Sequence, residues 1–100
     1  MTLLDNLLPK LRMAKSALET KYHIKSLALF GSIARSEDSP ESDVDLLVDF
    51  TEPIGIEFVY LANDLEKLLH RKVDLVSRGG IKEYYFKEIE KDLIYLENNI

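Results

Sequence analysis

The chain of 100 residues has no cysteine and no tryptophan. Without cysteine, disulfide bridges, thiolate nucleophiles and cysteine-ligated zinc are excluded. Histidine is scarce: His23 and His70 each follow a helical pattern, and neither has a second histidine at ligand spacing. Both read as structural residues at helix ends, where the helix dipole favours a cation. Three prolines and four glycines leave no Gly/Pro-rich linker, and no internal repeat is present. The expectation is one domain over residues 1–100. No apolar run approaches the roughly 20 residues of a membrane span, and no basic region with an apolar block opens the chain. A cytoplasmic protein without membrane contacts is expected. Basic residues are the minority, 13 against 18 acidic, for a net charge of −5. That balance argues against general nucleic-acid binding, which calls for clustered Lys and Arg. It still permits a nucleotide substrate, because a bound divalent cation inverts the local charge.

Apolar residues at Leu7, Leu8, Leu11, Ala14, Leu18 and Tyr22 have helical spacing. Pro9 is unfavourable inside a helix, so the regular helix is expected to start close to it. Ser26–Phe30 is a short apolar run closed by Gly31, which suits a buried strand. One helical turn is expected over Ile33–Arg35, then a polar loop from Ser36 to Ser42 that contains Pro40. Val44–Phe50 reads as a second strand and Lys72–Ser77 as a third. Between them Phe58, Leu61, Ala62, Leu65, Leu68 and Leu69 mark an amphipathic helix. After Gly79-Gly80, the positions Ile81, Tyr85, Ile89, Leu93 and Leu96 predict a final helix. Strands alternating with helices imply an α/β (α+β) domain, a small sheet covered by helices.

The chemistry concentrates in Gly31-Ser32, ten further residues, and Asp43-Val44-Asp45. Residues two apart on a strand face the same way, with Cα atoms about 6.6 Å apart. Two carboxylates about 6 Å apart at an effective dielectric of 20 repel by roughly 3 kcal/mol. Asp74 lies within the third apolar strand, and if that strand neighbours the second, three carboxylates converge. Three such repulsions would total roughly 8 kcal/mol, which a proton, a cationic side chain or a bound metal must offset. Hard oxygen donors without His or Cys suit Mg²⁺ or Mn²⁺. Carboxylates at this spacing can hold two ions about 3.5–4 Å apart, the geometry of in-line phosphoryl displacement. Asp49 shares parity with Asp45 but lies about 13 Å along the strand, so it belongs to the following turn.

Gly31 at a strand exit allows close backbone approach or a positive φ. A helical turn starting at Ser32 would present free N–H groups, and the Ser32 hydroxyl adds one more donor to an anion. Read alone, the pair is an ordinary strand-to-helix turn with Ser32 as its cap. Its place between a strand end and the Asp pair favours phosphate binding. Tyr84, Tyr85 and Tyr95 read as packing residues, with Tyr85 on the buried stripe of the last helix. The run Lys87-Glu88-Glu90-Lys91-Asp92 reads as a solvated face.

These residues resemble the minimal nucleotidyltransferases of the DNA polymerase β-like superfamily. The matching text is Leu29-Phe30-Gly31-Ser32-Ile33-Ala34-Arg35, Ser42-Asp43-Val44-Asp45-Leu46-Leu47-Val48, Pro53-Ile54-Gly55 and Arg71-Lys72-Val73-Asp74-Leu75-Val76, and it spans nearly the whole chain. The resemblance implies a small mixed sheet flanked by helices, with Asp43, Asp45 and Asp74 as catalytic, metal-binding residues. It implies that Gly31 and Ser32 hold a nucleoside triphosphate, and it places Arg35 where it can contact phosphate. It further implies ATP as substrate, two Mg²⁺ ions, and the antitoxin half of a HEPN–MNT toxin–antitoxin pair. Some members of that kind transfer AMP to a tyrosine of the HEPN toxin. Two positions depart from the family text Gly-Ser-Arg-Ala-Arg-Gly: Ile33 replaces the first Arg, and Ser36 replaces the Gly. Neither touches the carboxylates.

The expected activity is therefore Mg-dependent transfer of AMP from ATP to a partner protein. Asp74 is the expected proton acceptor at the attacking hydroxyl. Two rivals are a non-catalytic antitoxin that neutralises by docking alone, and an adenylyltransferase acting on a small molecule.

Overall fold

The computed structural model describes residues 2–96. Helix α1 spans Leu3–Tyr22 and leads into strand β1, Ile24–Phe30. The short helix α2, Gly31–Ala34, is followed by a loop and β2, Val44–Phe50. Helix α3, Glu57–Leu69, connects β2 to β3, Val73–Ser77. A 3₁₀ turn at Arg78–Gly80 precedes α4, Glu83–Ile89, and a second 3₁₀ turn at Glu90–Asp92 precedes β4, Ile94–Tyr95. The strands form one mixed sheet in the order β3-β2-β1-β4. β1 is antiparallel to β2 and β4, while β2 and β3 run parallel through the α3 crossover. The expected α/β (α+β) class, a small mixed sheet flanked by helices, is what the chain adopts.

Alternation along the strands separates two faces. Leu27 and Leu29 of β1, with Val44, Leu46 and Val48 of β2, are buried against Leu7 and Leu11 of α1 and Leu61, Leu65 and Leu69 of α3. On the other face Phe30 and Leu47 pack with Ile89 of α4, next to Val76 and Phe86. Asp45 and Asp74 share parity with Leu47 and Val76, which places both carboxylates on this second, less covered face. Among the described residues, no helix is long and apolar enough to cross a membrane.

The expected helical turn at Ile33–Arg35 forms at Gly31–Ala34, β1 starts at Ile24 rather than Ser26, and β3 at Val73 rather than Lys72; two helix boundaries differ further from the sequence expectation. α1 begins at Leu3 and carries Pro9 inside the helix. Thr2 caps it: the Asp5 N–H donates to the Thr2 hydroxyl at 3.1 Å, and the Thr2 N–H donates to the Asp5 carboxylate at 3.2 Å. This reciprocal box starts the helix ahead of the proline. Buried Leu7 and Leu11 bracket Pro9 and tie that turn to the core. At the other end, the last helix stops at Ile89 instead of running on to Leu96. The chain then returns to the sheet, where Ile94–Tyr95 pairs with β1 and the Leu96 N–H donates to the Leu27 carbonyl at 2.9 Å. An open β1 edge outcompeted helical continuation, a tertiary effect that periodicity does not reveal. His23 and His70 occupy left-handed caps at the ends of α1 and α3, each N–H bonding back to a glutamate carbonyl. Their structural role holds.

Ser36, where the family text has Gly, sits at φ +58°. A side chain there carries left-handed strain, so Ser36→Gly is expected to stabilise the chain by about 1 kcal/mol in urea unfolding. An unchanged or lower stability would mean that the Ser36 side chain compensates for the strain.

Candidate functional site

The parallel register of β2 and β3 sets Asp45 directly opposite Asp74. Adjacent strands lie about 4.8 Å apart, so these two carboxylates share one patch of the sheet face. Asp43 stands one residue ahead of β2. The residue after it is anchored to the other strand: the Val44 N–H donates to the Lys72 carbonyl at 2.9 Å. Asp43 and Asp45 are partly buried, and Asp74 is exposed.

Electrostatics tie the three together. The Asp45 carboxyl is pushed up to about 6, first by burial, then by the charges of Asp74 and Asp43, with Arg35 opposing. A carboxyl so placed keeps its proton up to about pH 6, and a cation beside it would favour the ionised form. Among the described residues, no three acidic or imidazole groups are gathered tightly enough to make a ready-formed metal cage. The structure supplies the backbone register of the cluster. Its donors are carboxylate oxygens alone, and their mutual repulsion is what a hard divalent cation relieves. The donor type of these residues fits such an ion.

Gly31 explains its own identity. Its φ is +80°, and an added Cβ would stand 2.1 Å from the Asp45 Oδ2 atom. Phe30, its predecessor, is the Cα partner of Asp45 across β1–β2. The glycine backbone thus lies directly against the central carboxylate. The Gly31–Ala34 turn begins there, and its first N–H groups have no intrahelical acceptor. The cap position is Phe30 rather than Ser32. The Ser32 hydroxyl instead donates to the Ser42 hydroxyl at 3.3 Å. This contact brings the Gly31-Ser32 turn to the loop that delivers Asp43.

Arg35 is placed differently from a free phosphate ligand. Its Nε donates to Glu37 at 2.7 Å and its Nη1 to Asp92 at 2.6 Å. These bonds hold its pKa above the usual arginine value, Glu37 contributing most. It stays within electrostatic reach of Asp45.

Two neighbours were not legible as site residues. Tyr85 is 36% exposed rather than buried. Its phenol is pushed up by partial burial and then by the charges of Asp45 and Asp74, which places it within their electrostatic reach. Arg71 clasps the loop ahead of Asp43, donating to the Ser42 carbonyl at 2.8 Å. Both depend on tertiary placement and leave no local spacing signal. A concavity of about 570 Å³ lies at the far end of β2, lined by Phe50, Pro53, Phe58 and Ser77. Phe50 stands five positions beyond Asp45, about 17 Å along the strand. Charge, not depth, marks the site.

A half-buried carboxylate cluster on a mixed sheet, with a glycine turn against its central member, is a phosphate- and cation-handling arrangement. Residues 11–96 match the family described as "Nucleotidyltransferase domain", and the chain belongs to that family. A Methanocaldococcus jannaschii protein, provisionally named a protein adenylyltransferase, is 50% identical over 88 residues, covering 86% of this chain and 90% of that protein. The protein adenylyltransferase MntA of Thermococcus cleftensis is 36% identical over 83 residues, covering 82% and 84%. The solved structure of a protein provisionally described as a minimal nucleotidyltransferase superposes with a TM-score of 0.78 at 33% identity, covering 94% of this chain and 95% of that one. The fold also recurs, at a TM-score of 0.65 and 20% identity, in a complex of a tri-AMPylated Shewanella oneidensis HEPN toxin with its MNT antitoxin. That likeness covers 88% of this chain and 70% of the other.

Proposed function

We propose that this chain transfers AMP from ATP to a hydroxyl of a partner protein, a tyrosine of a HEPN-type toxin, and so acts as its antitoxin. The observation that carries the chemistry is the Asp45–Asp74 pair in register, with Gly31 packed on the Asp45 carboxylate. The protein acceptor is supported by the names of the relatives, and the toxin class by the neighbour fold.

In this reading Asp43, Asp45 and Asp74 hold the divalent ions, Mg²⁺ or Mn²⁺. Bound there, such ions would supply the positive charge that offsets the triphosphate. The Gly31-Ser32 turn receives the phosphates on its N–H groups and the Ser32 hydroxyl. Asp74, the most exposed of the three, faces the incoming acceptor and takes or steers the proton from its hydroxyl. Arg35 adds positive potential beside Asp45. The acceptor oxygen forms a bond to the α-phosphorus as pyrophosphate leaves. Holding the two reactants in line contributes much of the rate.

The test is calorimetric titration of ATP into the chain with and without Mg²⁺, repeated with Asp43→Asn. Mg-dependent binding that the variant loses supports an active nucleotide site. Wild-type chain that ignores ATP in millimolar Mg²⁺, while still holding its partner, would favour docking alone.

A further inference from the structure

Arg71 ends the connection from α3 and stands three residues ahead of Asp74. A surface arginine ordinarily keeps its head in water. This one is partly buried and turned onto the Ser36–Ser42 loop. Its Nη2 donates to the Ser42 carbonyl at 2.8 Å and to the Pro40 carbonyl at 3.2 Å, while its buried Nε has no partner. One guanidinium nitrogen, Nη2, thus holds two backbone carbonyls of one loop, and the planar, partly buried group fixes where that nitrogen stands.

What that loop carries makes the contact consequential. Ser42 immediately precedes Asp43. Its hydroxyl accepts from the Ser39 N–H at 2.9 Å and from the Ser32 hydroxyl at 3.3 Å. On the other side of Asp43, the Val44 N–H is held by the Lys72 carbonyl. Consecutive residues Arg71 and Lys72 therefore grip the chain on both sides of Asp43. The strand that follows them carries Asp74. The clamp places two carboxylates and the Ser32 hydroxyl in one frame.

We infer that Arg71 is a positioning residue that sets the divalent-cation affinity of the carboxylate cluster by fixing the Ser42–Asp43 peptide. This rests on the reading that the cluster holds such an ion. Positioning groups behind metal ligands typically alter affinity by about 10- to 100-fold. Arg71→Met removes every donor, and Arg71→Lys keeps a charged donor but loses the planar group that sets its position.

The experiment measures Mn²⁺ binding by electron paramagnetic resonance of the free ion. It uses wild-type chain, Arg71→Lys, Arg71→Met, Asp43→Asn and the Arg71→Met/Asp43→Asn double variant, alongside amide hydrogen exchange. The expected result is binding weakened at least about tenfold in Arg71→Met and partly in Arg71→Lys. Exchange should speed up over residues 36–43 alone, and the double variant should bind no more weakly than Asp43→Asn. Action through Asp43 requires that non-additivity. Wild-type affinity in Arg71→Met, fully additive losses, or faster exchange throughout the chain would overturn the inference. Wild-type chain that binds no Mn²⁺ would overturn the cation reading itself, a result distinct from failure in the variants only.

Discussion

Asp45→Asn is expected to cut nucleotidyl transfer by about a thousandfold or more, the scale seen when a charge-stabilising group is removed from a reaction centre. The same change should make the chain harder to unfold at neutral pH without divalent ions. The reason is electrostatic. Asp45 sits partly buried between Asp43 and Asp74, and its carboxyl is pushed up to about 6 from an ordinary value of 3.8. A carboxyl raised in the folded state favours folding while protonated. That contribution is complete below pH 4 and is lost as pH rises through 6. The loss amounts to about 2 kcal/mol after solvent screening. Asparagine has no proton to lose, so wild-type and variant stabilities should separate between pH 4 and 7, with the variant ahead at the top. Urea unfolding across that range reads the difference directly. An Asp45→Asn chain that transfers AMP normally, or that is less stable at pH 7.5, contradicts the placement of this carboxylate in a repulsive cluster.

Gly31→Ala should be the most damaging single-methyl change in the chain. An alanine at φ +80° is strained in itself, and its Cβ would lie 2.1 Å from Asp45 Oδ2 and 3.0 Å from Asp45 Cγ. Either the Asp45 side chain swings away or the β1–α2 corner shifts. The expected cost is about 2–4 kcal/mol, combining backbone strain and overpacking. For a domain of this size that is a fall of roughly 10–25 °C in melting temperature. Transfer should drop even where the variant remains folded, because both ways of relieving the clash displace a carboxylate. The cause can be isolated by adding Asp45→Ala. Removing the carboxylate group should restore part of the stability lost to Gly31→Ala, and no recovery would place the damage elsewhere.

Local patterns made β2 legible to the residue, because alternation from Val44 to Phe50 has a single good register. The Asp43, Asp45 and Asp74 set was legible from spacing and from the cost of like charges on apolar strands. That Asp45 and Asp74 lie opposite each other was not, since strand order and register are tertiary facts. The start of α1 was misplaced because Pro9 outweighed Thr2 and Asp5, whose reciprocal hydrogen bonds were the stronger local signal. Leu93 and Leu96 continued a helical spacing from Ile81, yet the β1 edge drew Ile94–Tyr95 into the sheet. Arg35 remains beside Asp45, but Glu37 and Asp92 occupy its donors, partners that the sequence alone could not assign. Tyr85 lies within electrostatic reach of the carboxylates and Arg71 holds the loop ahead of Asp43, yet each looks locally like a packing residue or a solvated charge.

The most direct measurement is intact mass spectrometry of the protein that co-purifies with this chain from its own host. It should be run beside a preparation carrying Asp43→Asn. The account predicts a partner heavier by one or more AMP groups with the wild-type chain and unmodified with the variant. A partner bound equally tightly and unmodified in both preparations would contradict it, leaving a nucleotidyltransferase fold that neutralises by contact.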